Sequence, residues 1–409
     1  MRRALMVLLC IGPILVAAWL GLGRGTAPAQ AYVPRDDAEV LAPSPAWGPR
    51  EARAQLARDP TNVALATELA KRDIEEARVT SDPRYLGHAQ AALAPWWNDV
   101  APPPEVLLLR ATIRQSQHAF DEALLDLNEL LRRTPGDAQA WLTRSVVLSV
   151  RGEYAASRAS CAPLRALAGD LVSAQCLAAV DSLSGRAREA YAYLGSALRA
   201  AEERATLAKT PLRPAERAWI LATLGEIAVR AGDDAAAEAH HRAALDADPS
   251  DAYTRAAYAD LLLDQDRPAE VLSWLHGPGR ENDDNLLLRL AIAEAASNHP
   301  AAESHRELLR ARYLASQERG DVVHRREQAR FHLVLLHDPS TALELAKANW
   351  QVQREPADAR VFLESALAAR SPAEAMPVLT FLEANRAEEP RLVALRSRVR
   401  ELLPARPTP

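Results

Sequence analysis

Runs of alternating β-branched and aromatic residues are missing from this chain, and with them the usual material of a β-sheet. Aromatics make up only 5% of its 409 residues, although hydrophobic residues reach 48%. Ala and Leu carry most of that apolar share, a composition suited to closely packed helices. Glycine is scarce, at 16 residues, and none of it falls in a phosphate-cradling G-x-x-x-x-G-K-[ST] loop or a dinucleotide fingerprint. The chain also lacks a G-x-S-x-G elbow, an H-E-x-x-H pair and any C-x-x-C, so hydrolase, zincin and thiol-redox chemistry have no support. Basic surplus is absent too: the net charge is −5, and the segment Met1 to Ala31 carries Arg2, Arg3 and Arg24 without an acid, so the remainder is more acidic still. Binding to nucleic acid phosphates, which needs a positive face, is therefore not expected. Together these absences predict a non-enzymatic all-α protein with no catalytic residue, cofactor or metal.

What is present begins with an export signal. Arg2 and Arg3 precede an apolar stretch over residues 4–23, and Ala29 and Ala31 stand as an A-x-A cleavage signal. The same stretch is long enough to stay in the inner membrane as an uncleaved anchor, so residues 1–31 are read as a signal peptide or an N-terminal anchor. Residues 32–50 are rich in Pro and charge without helical period and are read as a flexible linker. Either outcome places the rest of the chain in the periplasm. An oxidising compartment permits Cys161 and Cys176 to pair. Closing their 15-residue loop would contribute about 3 kcal/mol; two small thiols buried on adjacent helices are the other reading.

A chain of this length must divide or repeat, because a single core stops growing well below it. Leu107, Ala111, Phe120 and Ala123 recur at one constant offset as Trp141, Ser145, Tyr154 and Ser157, large against large and small against small. His118 falls opposite Gly152 in that register, at the turn between two helices. The stretch from Ala218 repeats the pattern with Leu221, Gly225, Ala228, Gly232, Ala237, Ala244 and Pro249. Paired small residues, Ala111 with Ala123, Ala178 with Ala190 and Gly225 with Ala237, let two antiparallel helices approach closely.

This register resembles the tetratricopeptide repeat family, whose helix-turn-helix unit of about 34 residues stacks into a right-handed superhelical solenoid of antiparallel helix pairs. The resemblance is strong over residues 103–255, and TPR-like repeats are expected over 103–276. A divergent helical repeat is expected over 51–102, degraded repeats over 277–400, and a tail over 401–409. In such proteins positions 2, 5, 9, 12 and 13 of each unit point into a concave groove. Carried onto this chain, those positions include Gln115, Gln139, Gln175, Ser182, Trp219, Glu226 and Arg230, with Tyr253, Asp260 and Asp264 from the next unit. Leu108 and Thr112 stand where members that clamp a peptide carboxylate carry Lys and Asn, so an extended or helical segment of a partner fits better, with Trp219 and Tyr253 as anchors.

The implied function is a protein-interaction scaffold of the bacterial cell envelope that binds a partner protein or peptide. The alternative is an accessory subunit of an envelope metal or small-solute transport system, suggested by export and by ten histidines. Ligand geometry weighs against direct metal binding, because consecutive His240 and His241 point about 100° apart on a helix. A further candidate, the Trp96–Trp97 pair ahead of a Pro-rich loop, either docks a partner or covers the end of the irregular first repeat.

Overall fold

The computed structural model describes residues 49–403, apart from residue 81 and residues 276–282 and 321–322. The proposed export segment and nearly all of the linker lie outside the described residues. Among those described every element is helical. Three helices lead: α1 (Pro49–Arg58), α2 (Val63–Thr80) and α3 (Arg84–Ala92). Antiparallel pairs follow: α4 (Pro104–Ser116) with α5 (Phe120–Arg133), α6 (Ala138–Val150) with α7 (Tyr154–Cys161) and a short α8 (Leu164–Ala168), and α9 (Asp170–Asp181) with α10 (Ala187–Leu207). The array continues with α11 (Pro214–Ala231) and α12 (Asp234–Ala247), α13 (Ala252–Asp264) and α14 (Pro268–Leu275), and α15 (Asp284–Ala296) and α16 (Ala302–Glu318). It ends with α17 (Arg325–Val334) and α18 (Pro339–Trp350), α19 (Pro356–Ala368) and α20 (Met376–Ala384), and α21 (Pro390–Leu402). The whole is a right-handed superhelical solenoid of helix pairs.

One turn chemistry makes the pairs. At the end of each first helix a residue enters the left-handed region: His118, Gly152, Gly185, Gly232, Asp266, Asn298, His337 and Arg370, with φ between 52° and 79°. At most of them the following amide reaches back five residues to close a Schellman motif, as from Glu153 to the Leu148 carbonyl at 2.8 Å and from Asp233 to that of Ala228 at 2.9 Å. Starts are equally local. Asp137, Asp233, Asp251, Asp283 and Asp338 cap with their carboxylates, and Pro214, Pro339, Pro356 and Pro390 seat first turns.

At the helix crossings Ala111, Ala123, Ala178, Ala190 and Ala237 are buried. The equivalent Ser145 and Ser157 share a hydrogen bond of 2.9 Å, which satisfies both hydroxyls inside the core. At Gly225 the vacancy is filled from the opposite helix, since an added Cβ would lie 2.6 Å from Cε1 of His241. Cys161 and Cys176 are joined by a disulfide that ties α7 to α9. Trp96 and Trp97 pack on the N-terminal core; Arg110 donates to the carbonyls of Trp96, Trp97 and Asp99, and the Arg114 guanidinium lies 5.5 Å from the Trp97 ring. The pair thus covers the first, three-helix repeat.

The array curls far enough to meet itself. The Arg354 amide, just before α19, donates to the Val150 carbonyl at the end of α6 (2.7 Å), and the Phe381 and Tyr154 rings lie 5.8 Å apart. Arg391 at the start of α21 pairs with Asp234 on α12 (3.1 Å) and Asp264 on α13 (3.2 Å).

Candidate functional site on the concave face

Successive first helices present their inner sides to a shared space. One compartment, a chamber of about 200 Å³, is lined from α11, α13, α15, α17 and α19, by His241 of α12 and by Glu389. Its floor is a lattice of guanidinium and carboxylate groups. Asp260 accepts from Arg289 at 2.7 Å and also pairs with Arg330; Arg360 pairs with Asp264 (2.7 Å) and Glu364 (2.8 Å). Arg326 pairs with Glu327 (2.7 Å) and reaches Glu355 (3.3 Å). Arg230 spans Glu226 and the Ser182 hydroxyl, both at 3.0 Å, and the Tyr253 hydroxyl donates to Glu226.

Burial would raise each carboxyl here, and the neighbours decide the outcome. For Glu327 it is outweighed by Arg326, His324 and Arg289, which hold the group at about 2. Arg289 and Arg330 likewise keep Asp260 well below the usual carboxylate range. At Glu355 burial wins and Asp358 reinforces it, so that carboxyl is pushed up; Glu389 rises for the same first reason. Seven carboxylates face five arginines in this lining. The upward shift at Glu355, to about 8, brings the chamber closer to neutral.

A second compartment of about 60 Å³ runs on from the first and shares Glu226, Arg230, Glu355 and Pro356 with it. Its walls are apolar or weakly polar: Leu142, Val146 and Ser149 from α6, and Ala179 from α9 with Leu183 just beyond it. The concave face therefore changes character along its length, from apolar at α6–α9 to ionic at α13–α19.

The positions carried over from the resemblance divide accordingly. Glu226, Arg230, Tyr253 and Asp260 line the ionic chamber. Gln175 lies in the apolar compartment, its amide donating to Thr223 at 3.1 Å, while Ser182 lines a smaller gap beside it. Gln115 is buried in α4, and Gln139 is half-buried, bonded to Thr143 at 3.3 Å; neither joins these compartments. Trp219, at 6% exposure, belongs to the core shared by α6 through α12 and does not present its ring as an anchor.

Sequence reasoning missed Arg326, Arg330, Glu355, Arg360, Glu364 and Glu389. A signal was there: one repeat further on, Glu226 and Arg230 recur as Asp260 and Asp264, Arg326 and Arg330 recur as Arg360 and Glu364, and Glu355 recurs as Glu389. Charges four apart at one place on successive helices mark a common inner face.

The histidines are dispersed. His240 shares a hydrogen bond of 2.8 Å with Tyr191, His299 and His305 both approach Glu294, and His332 lies against Asp338. Burial holds His241 at about 4 and His118 at about 3, so both are neutral. Among the described residues no group of three or more His, Cys, Asp or Glu is placed to hold a metal ion, and no helix is long and apolar enough to cross a membrane.

No protein-family model matches the sequence, and no curated protein matches it. Solved structures of similar shape include yeast Tom70, at 10% identity and a TM-score of 0.39 over 86% of this chain and 85% of that one. Human IFIT1, solved as a dimer with m7Gppp-AAAA, gives 13% identity and a TM-score of 0.45 over 86% and 84%. The TPR domain of P58(IPK) gives 14% identity and a TM-score of 0.25 over 84% and 98%. At such identities and scores the likeness says nothing about ligand or partner.

Proposed function

We propose that this chain is a non-enzymatic interaction scaffold of the bacterial cell envelope, exported through residues 1–31, that takes a segment of a partner protein along its concave face. The observation that carries this reading is the continuous inner face, built from successive first helices, apolar near Val146 and Ala179 and ionic near Asp260 and Arg360. A chamber of about 200 Å³ is below the roughly 300 Å³ at which small-molecule sites begin, but it accepts one or two side chains of a partner. Prepaired guanidinium and carboxylate groups suit a polar or zwitterionic segment, because each can exchange its internal partner for one on the ligand.

The test fills the face without touching the ion lattice. Ala179→Trp and Ser149→Trp place an indole in the apolar compartment. A partner captured from envelope extract by the wild-type protein and identified by mass spectrometry should bind in calorimetry, with its affinity reduced at least about tenfold by either variant. Unchanged affinity in both variants refutes the concave face as the binding surface.

A further inference from the structure

The left-handed position that ends each first helix is held by non-glycine residues at His118, Asp266, Asn298, His337 and Arg370. Glycine occupies it at Gly152, Gly185 and Gly232, and these are the turns against which the C-terminal helices lie. A Cβ on Gly152 would stand 2.6 Å from Cε2 of Phe381; on Gly185, 2.8 Å from Cβ and 2.9 Å from the carbonyl oxygen of Arg386; on Gly232, 2.9 Å from Cγ of Pro390. These distances are shorter than any real side chain tolerates. Backbone conformation alone therefore does not account for the three glycines; close approach of the other end of the chain does.

The approaching part has a core that starts at Ala329 on α17, where it hinges on the rest of the array, and runs from Leu343 through Trp350, Phe362 and Leu379 to Val399. It meets the earlier repeats through turn tips and polar contacts: the Arg354 amide on Val150, the Glu388 carboxylate accepting from the Ala187 amide, and Arg391 on Asp234 and Asp264. Phe381 joins this core to that of α6–α12, and Val352 packs on the core of α4–α6. Such an interface opens at far lower cost than either core unfolds.

We propose that α18–α21 form a strap that docks on the row of glycine turns and narrows the concave face, so that lifting it widens the way into the chamber. The strap contributes Glu355, Pro356, Arg360 and Glu389 to the chamber wall, so closure and the ionic lattice form together. The inference concerns access and holds whichever partner enters.

Amide exchange at Arg354, measured by mass spectrometry on the intact chain, reads closure directly. Gly152→Ala and Gly232→Ala should speed this exchange by about tenfold or more relative to Gly320→Ala. Gly320 is the control for strain, with φ of 75° and nothing within 4 Å of an added Cβ. Phe381→Leu withdraws the ring atoms that meet residue 152 but also thins the docking contact, so the Gly152→Ala/Phe381→Leu double variant should exchange less than the two single effects combined predict. Arg391→Gln leaves every turn intact and should also speed exchange, which keeps the test decisive if an alanine variant does not fold. Exchange at Arg354 within about twofold of the Gly320→Ala control in both Arg391→Gln and the folded alanine variants overturns the strap.

Discussion

Replacing Asp260 with Asn keeps the shape of the side chain and removes one charge from the middle of the lattice. Two guanidinium groups depend on that charge. Arg289 has 9% of its side chain exposed and Arg330 has 21%, and Asp260 retains 28% toward the chamber. After substitution Arg289 keeps a bond to the Asn285 carbonyl at 3.1 Å but loses its bidentate acceptor. Breaking one side of a fully buried pair costs about 3 to 5 kcal/mol. The partial opening of Asp260 reduces this, and we expect a loss of about 2 to 3 kcal/mol. With a urea slope of about 3 kcal/mol/M, the unfolding midpoint should fall by roughly 0.7 to 1 M. Glu303→Gln is the control, since the Arg306–Glu303 pair is 36% and 64% exposed and such pairs contribute less than about 1 kcal/mol. Equal midpoint shifts for Asp260→Asn and Glu303→Gln would refute the claim that the lattice holds the repeats together.

Reduction of the Cys161–Cys176 disulfide should lower stability by about 3 kcal/mol, from the entropy of the reopened loop. The check is urea unfolding with and without reductant, beside the Cys161→Ala/Cys176→Ala variant; an unchanged midpoint in protein shown by mass to be reduced contradicts it. His241 sets a pH dependence. Its imidazole titrates at about 4 in the folded chain against an ordinary 6.5, so between those values the unfolded chain binds a proton that the folded chain refuses. Stability should thus fall as pH drops from 6.5 toward 4, by up to about 3 kcal/mol. Midpoints measured across that range should decline less steeply for His241→Gln.

How much could be read in advance depended on the distance over which a residue acts. The repeat register of Leu107 with Trp141 and His118 with Gly152 follows from local rules: a helix needs a cap, an apolar stripe and a stop, all within a few residues. The disulfide was one of two readings, because pairing of Cys161 with Cys176 needs α7 and α9 to bring their Cα atoms to 5.6 Å. Trp219 was misplaced for a related reason. Its repeat position points inward in an even solenoid, but here the indole is buried in the core that α11 shares with its neighbours. Beyond α14 the small-residue markers fade, and the charges that recur between Arg326 and Glu364 had no visible partner until the chain curled.

The sequence by itself determined helix, turn, pairing and the repeat unit, since each is decided by neighbours along the chain. Only the tertiary structure decided that the array closes. Each repeat is rotated slightly from the last, and the sum of those rotations determines whether α19 returns to α13 and the end of α6. No single residue encodes that sum. Gly152, Gly185 and Gly232 could be read as turn residues from the sequence, but that they are glycine because Phe381, Arg386 and Pro390 come to rest on them is visible only once the chain has met itself.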